Sequence, residues 1–340
     1  MNGDTARLTA HMRVPVIGSP MFLVSTPALV IAQCKAGVVG SFPALNARSS
    51  TLLDEWLHEI REALAAHDRT FPHRPAAPFA INQIVHRSNA RLDADLAVME
   101  RHRPPLVISS LGADAALFAT VRGWGGVALH DVTTTAFGAK ALDKGASGLV
   151  AVAAGAGGHA GALSPFALVQ ELRALFDGPL ALGGAIATGA AAYAACAMGA
   201  DFAYMGTAFV ACAESGASEP YRRMLLDATS ADIVNADLFT GIPANYLGGS
   251  IRAAGLDPAN LPKGEWNSMS FVAEGSGQAA PAKAWRDIWG AGQGVAAVDR
   301  SLTVAELVDR LEREWRDTAS RMNLRLPAER AFQQELAHGR

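Results

Sequence analysis

The sequence predicts an α/β protein of the (β/α)8, or TIM-barrel, class, carrying a smaller and mostly helical lid. Three observations predict it. Short continuous apolar runs alternate with longer helical patterns from residue 14 to about 210; the runs number eight; and beyond residue 210 the alternation stops, giving way to a stretch rich in Gly, Pro and Asn. Runs without a polar face imply strands buried on both sides, as in a parallel sheet covered by helices, and eight of them suggest closure. An open doubly wound sheet is the competing arrangement.

The strands are read in order as VPVIG (14–18), GVVGSF (37–42), PFAINQI (78–84), PLVISS (105–110), GVALHDV (126–132), GLVAVAA (148–154), PLALGG (179–184) and ADFAYMG (200–206). Between them lie helical segments at 26–36, 49–67, 88–102, 113–122, 133–145, 164–176 and 188–199. In the sixth of these, Ser164 is read as the N-cap and Pro165 as the first helical residue, where its missing N–H costs nothing. Phe166, Val169, Leu172 and Phe176 follow at helical spacing. Residues 211–294 contain helical pieces and turn signals without strand–helix alternation and are assigned to the lid. The barrel then comprises 1–210 and 295–340, with a last helix over 303–322 presenting Val304, Leu307, Val308, Leu311 and Trp315 to its exterior.

Composition narrows the function. The formal charge of −3 over 340 residues gives no electrostatic reason to bind nucleic acid or an anionic membrane, so a small-molecule partner is expected. Cys34, Cys196 and Cys212 are odd in number, far apart and without a C-x-x-C pair, which suits small buried hydrophobes in a reducing compartment. The histidines form no metal-ligand spacing, and no metal is expected. No long apolar span and no apolar leader near the first residues are read, so a cytoplasmic protein is expected, with a homodimer left open.

A barrel of this class places its active site at the C-terminal ends of the strands. Those ends carry SPMF (19–22), Asn82, His130 and Asp131, AGAGGHAG (154–161), GGAIATG (183–189) and GTAF (206–209). Gly183 and Gly184, and then Gly206 with Thr207, follow the last two strands. They either expose backbone N–H groups to a phosphate or let strand and helix pack closely. His159 stands alone among glycines, where Gly157 and Gly158 let a flat group approach the backbone. It either exchanges protons at the strand end or bonds a loop carbonyl. Asn82 faces either a heterocycle or neighbouring backbone, and His130 either a cofactor carbonyl or the backbone. Trp266, Trp285 and Trp289 line an apolar pocket or pack in the core.

The order P-V-I-x-x-P-M, A-x-N, A-G-G-H-x-G, G-G-x-I-x-T-G and M-G-T-x-F-x-x-x-x-E-S, followed by TGIPANYL (240–247) and GAGQGV (290–295), resembles the nitronate monooxygenase family over nearly the whole chain. The resemblance implies an FMN-binding TIM barrel acting on an alkyl nitronate with O2 to yield a carbonyl compound and nitrite. Gly183, Gly184, Gly206 and Thr207 would hold the flavin phosphate, with Ala185 a further cofactor-binding residue. The ring would sit near Pro20, Met21, Phe22, Asn82 and Gly158, with His130 a further cofactor-binding residue. His159 matches the family's catalytic histidine, a base toward neutral nitroalkanes. The chain departs from the family in carrying Ala154 and Ala156 where an acidic residue is common, His130 in place of a lysine and Ala208 in place of an arginine. Flavin-dependent enoyl reductases and NAD(P)H:quinone reductases share the scaffold and supply the alternative activity.

Overall fold

A computed structural model describes residues 2–263 and 285–322. Helix α1 (Gly3–Thr9) precedes the first strand, β1 (Val16–Gly18). Strand β2 (Gly40–Pro43) and then β3 (Phe79–Ile84), β4 (Leu106–Ser110), β5 (Val127–Val132) and β6 (Gly148–Val152) continue the sheet. After the two-residue strand β7 (Gly158–His159), which belongs elsewhere, β8 (Leu180–Gly183) and β9 (Phe202–Met205) complete it. All pairings in this sheet are parallel, in the order β1-β9-β8-β6-β5-β4-β3-β2. The two edges meet at a parallel bridge between Ile17 and Val39, where Gly18 N–H reaches Val39 O at 2.8 Å and Val39 N–H reaches Val16 O at 3.0 Å. The sheet is therefore closed, and the eight runs read from the sequence are its eight strands.

Helices α2 (Pro27–Ala36), α3 (Ser50–Thr70), α4 (Leu92–His102), α5 (Ala115–Gly123), α6 (Thr135–Asp143), α7 (Pro165–Arg173) and α8 (Gly189–Ala197) surround it. Each loop entering α2, α3, α5, α6 and α8 ends on a Thr, Ser or Asp whose side chain accepts a first-turn N–H, so the loops that build the barrel mouth also start the helices. Helix α7 differs from the sequence expectation. Pro165 does occupy the first position, but the Ser164 hydroxyl makes no cap bond, and Phe166 is 65% exposed while Leu168 joins Val169 and Leu172 in the core. The extended Ser164 backbone leads straight into the proline-fixed turn, which leaves Phe166 on its outer side.

Alternation along the strands sorts the core into two layers. Ile17, Val39, Ala80, Leu106, Ile108, Val127, Leu129, Val150, Ala181 and Phe202 fill the barrel, joined by Leu8 of α1. The residues between them, such as Val107 and Ala128, pack outward against Phe118 and Val121 of α5. This parity decides which strand-end residues look into the barrel mouth.

Beyond β9 come α9 (Thr207–Val210), α10 (Glu219–Asp227), β10 (Ile233–Ala236), β11 (Ala244–Leu247) and α11 (Gly248–Ala253). Strand β11 pairs antiparallel with both β10 and β7, so the 211–294 segment contributes a small sheet as well as helices. Helix α12 (Val304–Arg321) packs outside the barrel through Val304, Leu307, Val308 and Leu311, with Trp315 edge-on to Tyr193 of α8. Gly189 makes that approach possible, since a Cβ there would lie 2.0 Å from Leu311 O. Cys34 and Cys212 are buried and Cys196 half-buried, and burial pushes all three thiols up to about 12, which keeps them protonated. Among the described residues no helix is long and apolar enough to cross a membrane.

Candidate active site

A cleft of about 460 Å³ opens at the C-terminal mouth of the barrel, and all twelve site residues expected from the sequence line it. The β1 loop contributes Pro20, Met21 and Phe22. Asn46, just after β2, pins this loop: its Nδ2 donates to Met21 O at 3.0 Å and Ser25 O at 2.8 Å, while its Oδ1 accepts from Leu23 N–H at 3.0 Å. Leu23 has φ +64°, a conformation that this clamp holds against its steric cost.

Three glycine-bearing segments form the opposite wall by touching backbone to backbone. A Cβ on Gly157 would lie 2.7 Å from Gly292 N, one on Gly292 2.8 Å from Gly155 O, and one on Gly294 2.6 Å from Ala185 O. Gly155 O also accepts from Ala185 N–H at 3.1 Å and Gln293 N–H at 2.9 Å. The segment around His159 is thus stripped of side chains partly because its own chain, residues 290–294, lies on it; at Gly157 the close neighbour is backbone rather than a ligand. Gly158, by contrast, has the Trp285 ring 3.3 Å from its would-be Cβ. Gly184 (φ +150°) and Ala185 (φ +55°) make consecutive turns outside the usual range, placing the 184–187 loop at the cleft edge. The first N–H groups of α8 are already engaged, Gly189 by Glu314 and Ala191 by Thr188, so it is this loop and not the helix terminus that faces the cleft. Gly292 N–H donates to Thr207 Oγ1 at 2.9 Å, leaving the Thr207 hydroxyl proton available.

On β5 the strand parity separates two neighbours. His130 takes the outward position: Ser109 Oγ is 2.8 Å from its Nδ1 and its ring is edge-on to Phe118 of α5. Burial pushes it down to about 4, so it is uncharged at neutral pH. The inward residue is Asp131, at the cleft floor, which sequence reasoning noted only as a strand end. It ends a chain of donors: Asn82 Nδ2 donates to Ser110 Oγ at 2.7 Å, and Ser110 in turn bonds the Asp131 carboxyl, as does the Leu111 backbone. Asn82 Nδ2 also donates to Ile108 O at 3.0 Å, so Oδ1 is the part of that amide left for a ligand. Burial raises Asp131 to about 6, and burial together with the Asp131 charge holds the Tyr204 phenol well above its usual value. Among the described lining residues there is no Lys or Arg.

The raised Asp131 makes a stability prediction. An unfolded aspartate titrates near 3.9 and this one near 6, so the folded state binds its proton more tightly; stability falls as pH rises between those values, and the cost is full above the upper one. Asp131→Asn should therefore stabilise at pH 8 by roughly 3 kcal/mol, about 4 °C in Tm, with the gain shrinking toward zero near pH 4. A thermal melt series across that range checks it; a pH-independent gain would contradict the assignment.

His159 sits on β7, opposite Ala244 of β11, with its Nε2 3.1 Å from Thr240 Oγ1 and its ring perpendicular to Trp285 at 5.4 Å. Burial pushes it down to about 4, leaving a neutral ring. Of the three tryptophans, Trp285 lines the cleft and Trp289 stacks on Tyr221 at 5.1 Å; Trp266 lies outside the described residues. Thr240, Asp131, Asn46 and the 290–294 wall are the site residues that sequence reasoning missed.

A closed parallel barrel with one deep cleft at its C-terminal mouth, glycine-walled and holding a neutral imidazole, defines a (β/α)8-barrel enzyme. The chain belongs to the nitronate monooxygenase family, whose sequence model matches residues 5–314. It is 33% identical to a nitronate monooxygenase of Paraburkholderia phytofirmans, covering 91% of this chain and 94% of that one, and 29% identical to one of Pseudomonas aeruginosa over 89% and 96%. Among solved structures it superposes on nitroalkane oxidase from Streptomyces ansochromogenes with a TM-score of 0.77, covering 93% of this chain and 99% of that one at 24% identity. FabK from Thermotoga maritima gives a TM-score of 0.73 at 21% identity, covering 95% and 98%. At such identities the structural matches speak for the fold alone.

Proposed function

We propose that the chain is an FMN-dependent monooxygenase that oxidises small alkyl nitronates with O2 to a carbonyl compound and nitrite, and acts on neutral nitroalkanes through His159 as base. The observation that carries this reading is the convergence of the β1 loop, the glycine walls and one neutral imidazole on a single cleft, in a chain of the nitronate monooxygenase family.

The residues fit a flavin. The cavity volume lies in the range of cofactor sites, about 300–1,000 Å³. The 184–187 loop and Gly206 present backbone at the cleft edge, and Pro20, Met21 and Phe22 offer apolar surface to a ring. The 184–187 backbone, Gly206 and the free Thr207 proton would hold the phosphate. A flavin bound there would supply the electron-accepting chemistry of the reaction, with O2 as the final oxidant. The chain's own part is to orient the substrate against apolar walls, to exclude water beneath the lid segment, and to take a proton from the substrate α-carbon onto His159. We assign residues 1–210 and 295–340 to the flavin-binding barrel and 211–294 to the lid.

Mass spectrometry of the released chromophore and anaerobic mixing test the reading. Ethyl nitronate should bleach the visible absorbance of a protein that releases FMN, and NADH should do so slowly. Rapid bleaching by NADH and none by nitronate would replace the proposal with a reductase on the same scaffold.

A further inference from the structure

The hairpin between β10 and β11 does more than cover the cleft, because Thr240 in its turn touches the imidazole. Thr240 is 5% exposed, and its Oγ1 lies 3.1 Å from His159 Nε2 and 3.1 Å from Ile242 O. A hydroxyl has one proton and two lone pairs, and a carbonyl oxygen can only accept. The Thr240 proton is therefore directed to Ile242 O, and the two lone pairs of Oγ1 are left for the buried Tyr246 phenol, which also bonds Thr240, and for the imidazole, with Nε2–H donating to Oγ1. A neutral imidazole has one N–H, so Nδ1 carries the lone pair. Nδ1 has no hydrogen-bond partner among the described residues, and His159 lines the cleft.

We propose that Thr240 is a positioning residue that fixes His159 as its Nε2–H tautomer and thereby makes Nδ1 the nitrogen that takes the substrate proton; the last clause rests on the proposed function. The fold supplies the rigidity this needs. Gly241 (φ +72°) closes the turn with its N–H 2.7 Å from Asp237 O. Ala160 N–H bonds Pro243 O at 3.2 Å, and Ala244 pairs with His159 itself, so the hydroxyl and the ring ride on one small sheet. Perpendicular contact with Trp285 limits ring rotation. On proton transfer the substrate C–H bond breaks, its electron pair stays on the nitronate, and Nδ1 gains the proton. The resulting imidazolium keeps its Nε2–H bond to Thr240, so the contact serves both protonation states.

The test uses protein labelled with 15N-histidine, with His159 assigned by comparison with His159→Asn. Long-range proton–nitrogen spectra should give the Nε2–H pattern in wild type and in Thr240→Ser, and a mixed or Nδ1–H pattern in Thr240→Val. In the flavin-loaded enzyme Thr240→Val should lower kcat/KM for nitroethane about tenfold and leave ethyl nitronate unchanged, while Thr240→Ser stays within about twofold of wild type. A wild-type Nδ1–H pattern, or a Thr240→Val pattern identical to wild type, would overturn the proposal. The expected spectra from a wild-type enzyme that oxidises no nitroalkane would uphold the Thr240 contact and overturn the reading of His159 as base.

Discussion

Replacing His159 with asparagine is expected to lower kcat/KM for nitroethane about a hundredfold or more while leaving ethyl nitronate within about threefold of wild type. The two substrates differ by one proton. A neutral nitroalkane must lose its α-hydrogen inside the cleft, and among the described lining residues His159 is the neutral group placed to receive it without leaving a buried charge unpaired. The alternative acceptors are poorer. Asp131 lies at the floor, bonded to Ser110 and the Leu111 backbone, and His130 takes the outward position on β5 with its ring edge-on to Phe118 of α5. A preformed nitronate needs no base. The pH profile follows from the same ring: with His159 pushed down to about 4 it stays neutral through the neutral range, so nitroalkane kcat/KM should be flat from pH 8 to about 5 and fall as the pH drops through that value. Nitrite release with both substrates measures this, and equal losses on nitroethane and ethyl nitronate would remove His159 from the proton transfer.

Much of this site was legible in the sequence because barrel strands end where chemistry happens, and a strand end is a local feature. The apolar runs located Asn82, His130, Gly183 and Gly206 at the mouth before any contact was known. What stayed hidden depends on parity or on long-range contact. His130 and Asp131 are adjacent letters, and which of them looks inward follows from Val127 and Leu129 filling the barrel, a fact of closure. Asp131 did carry a readable signal, an acid at the end of an otherwise apolar strand. Thr240 is 81 residues from His159 and meets it only because β11 recruits β7 into a second sheet, a pairing too short to leave a periodic pattern. The glycines of 155–158 and 290–294 explain one another: each segment is bare because the other's backbone lies on it, and neither alone distinguishes a ligand from a neighbouring strand of chain.

That mutual packing shapes the second large effect, the loss of flavin on replacing Gly184 with valine. The sequence alone suggests that a side chain there would crowd phosphate donors. The structure gives a different route to the same outcome: the added Cβ would point to the β6 end and the α7 start, 2.9 Å from Ala154 O and 3.3 Å from both Ala153 Cβ and Pro165 Cγ. Backbone oxygen and a helix-initiating proline cannot swing aside as a flexible side chain would. Valine also strains φ at +150°, where about 1–3 kcal/mol is typical for a branched residue. Relief comes from moving the 184–187 loop, and that loop is held by Ala185 N–H on Gly155 O, which itself carries Gln293. Displacement therefore spreads to both glycine walls at once. We expect FMN affinity to fall about tenfold or more, equivalent to about 1.4 kcal/mol or more, with a Tm drop of a few degrees in the flavin-free protein. Gly123→Ala, at a helix end with nothing within 4 Å, is the matched control and should leave both unchanged. Equilibrium dialysis with FMN alongside thermal melts separates the two effects: unchanged affinity with a lowered Tm would move the phosphate site away from the 184–187 loop, whereas weakened affinity at nearly native stability would fix it there.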